Sequence, residues 1–151
     1  MISSILASSL LLIFNPPKET VKVFVLVGQS NMQGHGFIAA DPDRNEGRGS
    51  LEYIARSATG NQKIKSLLPK DGTWQVRDDV WIDYFERKGK LSVGFGVGKD
   101  CIGPELGFGN FIGNSFKEPV YLIKIAWGGR SLAVDFRPPS SGGSVGPSYT
   151  E

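Results

Sequence analysis

A serine that could act as a nucleophile follows an apolar run near the start of the chain. Val21–Val27 is an almost continuous series of β-branched and aromatic residues, typical of a central strand buried on both faces of a parallel sheet. It leads into Gly28-Gln29-Ser30-Asn31, where a glycine permits a tight turn and Ser or Asn can cap a helix. A serine at a helix N-terminus has an exposed hydroxyl beside backbone N–H groups that can stabilise an oxyanion. Two interpretations stand, a nucleophile and the commoner helix cap.

A second apolar run, Val120–Ala126, also ends in a glycine-rich loop, Trp127–Arg130. Between the two runs, Gly103-Pro-Glu105 opens a segment with a helical pattern, Leu106–Phe116. Proline suits the first helical turn, and the role we assign to the glutamate is to complement the helix dipole. A strand, helix, strand order predicts a parallel crossover, and such sheets bind ligands beyond the carboxyl ends of their strands. Both glycine-rich loops are therefore expected at one site.

The rest of the sequence predicts few further helices or strands. Residues 36–72 are polar and rich in turn signals, with one short helix expected over Ser50–Ser57. Val80–Phe85 and Leu91–Val97 are interpreted as short strands, and no element is predicted beyond Pro139. The pattern indicates an α/β domain whose sheet is incomplete on its C-terminal side.

Composition excludes several classes of function. The 151 residues carry 17 basic and 15 acidic side chains, so no basic surface for nucleic acid is expected. His35 and Cys101 are the only histidine and the only cysteine, which leaves neither a disulfide nor a Cys/His metal site. No metal or organic cofactor is implied.

The N-terminal segment is apolar over residues 2–14, too short for stable insertion across a bilayer but similar in length to the core of a signal peptide. It has no basic residue before this core and no small-residue cleavage site after it. Export to the periplasm or the exterior therefore stays open beside a buried or mis-started segment in a cytoplasmic protein.

Three glycine-rich blocks resemble the SGNH hydrolases, in particular the sialate O-acetylesterase-like branch related to carbohydrate esterase family 6. Gly28–Gly34 (GQSNMQG) is similar to the first block of that branch, and Gly103–Gly109 (GPELGFG) and Lys124–Arg130 (KIAWGGR) follow in the same order. The resemblance implies a three-layer α/β/α flavodoxin-like fold over residues 21–151, after an N-terminal apolar segment, residues 1–20. It also implies hydrolysis of O-acyl esters, most simply O-acetyl esters, on a carbohydrate.

The resemblance assigns roles to individual residues. Ser30 would be the nucleophile, and its N–H and that of Gly103 would bind the oxyanion, although Gly103 also suits a plain turn. Gln29 and Asn31 would position the nucleophile or contact a sugar hydroxyl, or else cap backbone groups. The loop after the second apolar run would contact the substrate or serve as simple cover, and its candidates are Trp127, Arg130, Asp135 and Arg137. Lys124 is expected to reach the surface or to pair with a carboxylate, and a Ser-Lys dyad is disfavoured.

The general base of this family, a histidine in a D-x-x-H block, has no counterpart in the sequence. His35 follows Ser30 by five residues, which on a helix would turn it about 140° away. A fragment of a longer esterase is the favoured explanation, beside a non-catalytic sugar-binding relative and a base supplied by a second chain. On its own the chain is expected to show little esterase activity and to self-associate through an exposed sheet edge.

Overall fold

A computed structural model of the chain describes residues 20–57, 62–65, 67–68 and 71–150. Six strands and five α-helices lie in these ranges, with short 3-10 helices at Asn45–Gly47 and Pro139–Ser141. The strands are β1 Lys22–Gly28, β2 Gly36–Phe37, β3 Val80–Tyr84, β4 Arg87–Lys90, β5 Cys101–Ile102 and β6 Val120–Ala126. The helices are α1 Ser30–Gln33, α2 Leu51–Arg56, α3 Gln62–Lys65, α4 Pro104–Ser115 and α5 Pro147–Thr150.

The main sheet has four strands in the order β1-β6-β3-β4. β6 pairs in parallel with both β1 and β3, and β4 adds antiparallel to β3 through a two-residue hairpin turn. A separate two-stranded sheet joins β2 to β5. The predicted α/β class and the parallel pairing of the two apolar runs are confirmed, and β6 and β3 are the two inner strands of this sheet.

One face of the main sheet forms the core beneath α4. Its buried side chains come from alternate positions of three strands and from the loop after β4, and Phe108 and Ile112 of α4 pack against them. Gly109 lets the helix approach closely, because a Cβ there would lie 2.9 Å from the Leu122 side chain. The core consists of Leu26, Val80, Ile82, Leu91, Val120 and Leu122.

The opposite face of β1 is exposed, and the prediction of a central strand buried on both faces is wrong. Val23, Val25 and Val27 are 52–56% exposed, and β1 pairs only with β6 among the described residues. Apolar residues on both faces of a strand indicate that both faces favour burial. They do not indicate which face has a packed neighbour. Among the described residues β1 is an edge strand with one uncovered face.

Most of the remaining predicted elements are confirmed. The helix expected over Ser50–Ser57 is α2, capped by Ser50 Oγ, which accepts the Tyr53 N–H at 3.2 Å. The helix expected over Leu106–Phe116 corresponds to α4, and the strand expected over Val80–Phe85 corresponds to β3.

The strand expected over Leu91–Val97 is wrong, because this segment is a loop. Gly94 has φ +96°, outside the extended region, and Arg87 donates hydrogen bonds to the Gly94 and Gly96 carbonyls. Those carbonyls are therefore bound by a side chain and not by a neighbouring strand.

The predicted N-terminal apolar segment lies almost entirely outside the described residues, which begin at residue 20. Within the part of the chain that the structure describes, no helix is long and apolar enough to cross a bilayer.

Candidate active site

Ser30 is the first residue of α1, directly after the carboxyl end of β1. Gln29 caps this short helix, since its Oε1 accepts the Ser30 N–H at 3.3 Å and the Ser30 hydroxyl at 3.1 Å. Both functional groups of the serine thus share one acceptor. The side chain of Gln29 therefore caps the backbone and accepts from the serine hydroxyl, and its role in positioning a nucleophile stays a prediction.

The loops that carry Ser30 and Gly103 touch backbone to backbone. Gly34 ends α1 with φ +86°, and a Cβ there would collide with the Gly103 backbone. Its carbonyl accepts the Val97 N–H at 2.8 Å, which adds a third loop to the contact. Only glycine fits both the left-handed backbone and the close approach. The first and second sequence blocks therefore meet through their glycines.

The Gly103 amide is already engaged in this arrangement. It donates to Glu105 Oε1 at 2.7 Å, and the Glu105 side chain is fully buried. An oxyanion would have to share or displace this bond, so the donor role of Gly103 stays a prediction. Glu105 does lie in the first turn of α4, as expected, but its burial shows a larger structural role than complementing the dipole.

Lys124 lies beneath these loops and joins them. Its ammonium donates to Glu105 Oε2 at 2.6 Å, to the Phe95 carbonyl at 2.7 Å and to the Gln33 carbonyl at 2.9 Å. The pairing alternative considered for this residue is confirmed, since both charged side chains are fully buried. Desolvation lowers the pKa of Lys124, and the hydrogen bond and charge of Glu105 oppose that shift. Three acceptors take the three ammonium protons, and the Ser30 hydroxyl bonds Gln29 and not Lys124, so the described contacts do not form a Ser-Lys dyad.

Asn31 and His35 are both exposed. His35 comes after α1 has ended, in the segment that precedes β2, so it is a loop histidine. No hydrogen bond joins it to Ser30 within the described part of the chain. The structure therefore does not bring the one histidine of the sequence to the serine hydroxyl.

The loop after β6 contains the other candidate residues. Trp127 packs between two aromatic rings, with centroids 4.9 Å from Phe85 and 5.5 Å from Phe136. It lies at the carboxyl edge of the sheet because Ala126 pairs with Gly28, the last residue of β1. Trp127 and the Ser30 loop thus emerge from neighbouring strands.

The charged residues of this loop bind mainly within it. Asp135 accepts the Ser131 N–H at 2.8 Å and pairs with Arg130 at 3.0 Å. The Ser131 N–H is the larger cause, and the Arg130 guanidinium the second, of a lowered Asp135 pKa. Arg137 donates to the Ala133 carbonyl at 2.7 Å. These contacts fold the loop on itself and do not link it to Ser30.

Three residues near this edge were missed by the sequence analysis. Tyr84 is buried at the end of β3 and donates to the Ala126 carbonyl at 3.2 Å, and burial raises its pKa. Gln33 reaches towards the third block, where its Oε1 would lie 3.0 Å from a Cβ placed on Gly128. Phe85 contacts Trp127 from the β3–β4 turn. A lysine inside an apolar strand was the one visible signal of a polar cluster here.

The described residues contain no group of three or more His, Cys, Asp or Glu side chains that could hold a metal ion.

Comparison with known proteins bears on the whole arrangement. Residues 20–149 match the family model described as carbohydrate esterase, sialic acid-specific acetylesterase. The chain is also similar to an X-ray structure of a protein from Arabidopsis thaliana, with 16% identity and a TM-score of 0.45, over 78% of this chain and 44% of that one. No curated protein matches the chain. Because the family model spans most of the sequence, including all three glycine-rich blocks, the chain belongs to the family of carbohydrate esterases, sialic acid-specific acetylesterases.

Proposed function

We propose that the chain contributes the nucleophile half of a serine esterase that removes O-acyl groups, most simply O-acetyl groups, from a carbohydrate. The observation that carries the proposal is Ser30 at the first position of α1, at the carboxyl edge of a parallel sheet, in a chain of this esterase family. As a base takes the Ser30 hydroxyl proton, Oγ would attack the ester carbonyl and form a tetrahedral oxyanion. The oxyanion would collapse to acyl-Ser30 while the base returns the proton to the departing sugar hydroxyl. Water would then hydrolyse acyl-Ser30 to the free acid and regenerate the serine.

The oxyanion would rest on the Ser30 N–H and the Gly103 N–H, once Gln29 Oε1 releases the first and the Glu105 carboxylate the second. The N-terminal dipole of α4 adds positive potential on the Gly103 side. Because His35 makes no contact with the serine hydroxyl, the base is taken from outside these 151 residues, from a D-x-x-H block in a longer chain or from another subunit.

The test begins with the coding sequence downstream of Glu151, searched in all three frames for a Gln- or Asn-bearing block followed by D-x-x-H. A protein extended through such a block should hydrolyse p-nitrophenyl acetate, and Ser30→Ala should abolish this activity. Ser115→Ala is the matched control, since Ser115 is an exposed serine that bonds only the Phe111 carbonyl. Equal activity in the Ser30→Ala and wild-type proteins would refute the proposal.

For the 151-residue chain alone, hydrolysis is expected to stay within the roughly 10³ to 10⁴-fold acceleration over water that remains when a triad residue is absent. A serine-directed fluorophosphonate reports the nucleophile independently of turnover. Slow labelling, counted by intact mass and located on Ser30 by peptide mapping, would support the assignment, and labelling at other serines alone would contradict it.

The engaged Gly103 amide and the aromatic cluster favour a second candidate, a non-catalytic carbohydrate-binding relative. It predicts saturable sugar binding that survives Ser30→Ala, without turnover in any longer protein. The same pair of measurements, binding and hydrolysis, therefore separates the two candidates.

We further propose that β1 self-associates through the edge that has no partner strand among the described residues. Lys22 is the only charged residue of the strand, and edge strands without charges or prolines readily pair with another chain. In an antiparallel pair centred on Val25, Val23 of each copy would lie opposite Val27 of the other copy. Such an edge is complementary to itself, as a two-fold interface requires.

A further inference from the structure

Phe85 has a backbone conformation that is unusual for its residue type. It is the first of two turn residues between β3 and β4, where Tyr84 pairs with Arg87, and its φ is +53°. Two-residue hairpins with a positive φ at this position strongly favour glycine or asparagine. An aromatic residue there is disfavoured, and backbone strain of this kind concentrates at functional sites.

Burial does not compensate for this strain. The Phe85 ring lies 4.6 Å from the Tyr84 ring and 4.9 Å from the Trp127 ring, yet 42% of the residue stays exposed. A residue selected only for packing would gain more by turning fully into the core. The planes of the Phe85 and Trp127 rings are inclined by 55°, so the pair offers two adjacent aromatic surfaces, which we call the aromatic platform.

The platform lies at the edge of the sheet where Ser30 lies. β1, β6 and β3 run parallel, so Gly28, Ala126 and Tyr84 end at the same edge in that spatial order. Strands are spaced about 4.8 Å apart, which puts Phe85 roughly 10 Å from the Ser30 strand, with Trp127 between them. A sugar ring with its ester at Ser30 fits within that distance.

We propose that Phe85 and Trp127 together bind the sugar ring of the substrate by stacking on its apolar C–H face. This inference rests on the proposed function for the position of the ester, but the binding itself needs no catalytic base. The charge of Arg130 is matched within its own loop by Asp135. The two aromatic rings would supply an apolar surface for the C–H face of a pyranose.

The decisive variant is Phe85→Gly, which removes the ring and relieves the positive-φ strain together. The melting temperature should stay level or rise, while binding of methyl 6-O-acetyl-glucopyranoside should weaken about fivefold to tenfold, the equivalent of roughly one aromatic contact. Binding is measured by NMR titration of the Trp127 indole signal. Phe85→Asn, which also tolerates this backbone, is the second variant and should behave in the same way.

Glu46→Gly is the matched control because Glu46 also has a positive φ, +55°, in the separate 3-10 helix. It should relieve strain to a similar extent without changing sugar binding. Unchanged binding in both Phe85 variants, or no binding by the wild-type chain, would overturn the inference.

The two proposals fail in different ways. If the Phe85 variants bind sugar weakly while Ser30→Ala changes no hydrolysis, the platform stands and the esterase proposal is lost. In the opposite case, an extended protein hydrolyses p-nitrophenyl acetate through Ser30, and it binds and cleaves the acetylated sugar equally well with and without Phe85. The platform is then refuted, and the esterase proposal stands.

Discussion

The two faces of the main sheet differ in burial far more than in composition. On the α4 side, Leu122 and Lys124 are at most 2% exposed, and even a charged side chain is enclosed with its partner. On the other side, Val23 and Val25 of β1 are more than half exposed although they are as apolar as any core residue. Burial therefore depends on the presence of a packed neighbour. The second face, which the described residues leave uncovered, has the apolar composition of a surface that favours burial.

The largest expected effect is at the buried ion pair of the covered face. Lys124→Met leaves the Glu105 carboxylate buried without its cation and frees the Gln33 and Phe95 carbonyls. Breaking one partner of such a pair typically costs about 3 to 5 kcal/mol of the free energy of unfolding. Urea denaturation followed by circular dichroism measures this loss.

The double variant Lys124→Met/Glu105→Leu is the matched control for that result. With both charges replaced by apolar side chains of similar volume, most of the lost stability should return, because no unpaired charge remains buried. Equal losses in the single and double variants would show that the lost carbonyl and Gly103 contacts dominate, and not the ion pair.

The pair also marks how far sequence can predict this site. The sequence predicted that Lys124, in an apolar strand, needs either a route to the surface or a carboxylate partner. It also predicted close turns at Gly28 and Gly103. Both predictions were possible because each needs only local chemistry. The sequence does not show that the partner of Lys124 is Glu105, or that Glu105 also accepts the Gly103 N–H. Both contacts depend on how α4 approaches β6. Phe85 was missed for a related reason, since residue type alone does not reveal a positive φ.

A second comparison uses neighbouring residues of β6. Leu122→Ala opens a cavity under α4 and should cost about 2 to 5 kcal/mol of the free energy of unfolding. Ile123→Ala, on the other face of the same strand, should cost clearly less, because Ile123 is only partly buried and solvent can fill the space. The difference between the two denaturation midpoints measures the difference between the faces, and equal midpoints would mean that the second face is covered in solution.

The uncovered face can be tested by charging it. Val25→Lys should change the stability of the monomer by no more than about 0.5 kcal/mol and should weaken self-association. Val76→Lys is the control, since Val76 is a similarly exposed valine, at 54%, outside the sheet. Sedimentation velocity over a range of concentrations measures the self-association of the two variants. Association that is unaffected by Val25→Lys would exclude β1 as the interface.

The smallest effect concerns the loop that holds Trp127 and Arg130. The Ser131 N–H, followed by the Arg130 guanidinium, lowers the pKa of Asp135 below its ordinary value of 3.8. A carboxyl whose pKa is lowered by folding contributes stability above its unfolded pKa and loses it as pH falls through the folded pKa. The Asp135 carboxyl should therefore keep its charge, and its bonds to Ser131 and Arg130, to a lower pH than an ordinary aspartate, and the stability from these bonds should fade as pH falls through the folded pKa. A pH titration of the Asp135 carboxyl ¹³C shift measures this pKa. Arg130→Gln should raise the Asp135 pKa only part of the way, because the Ser131 bond remains, and a full return to 3.8 would reassign the main cause to the arginine.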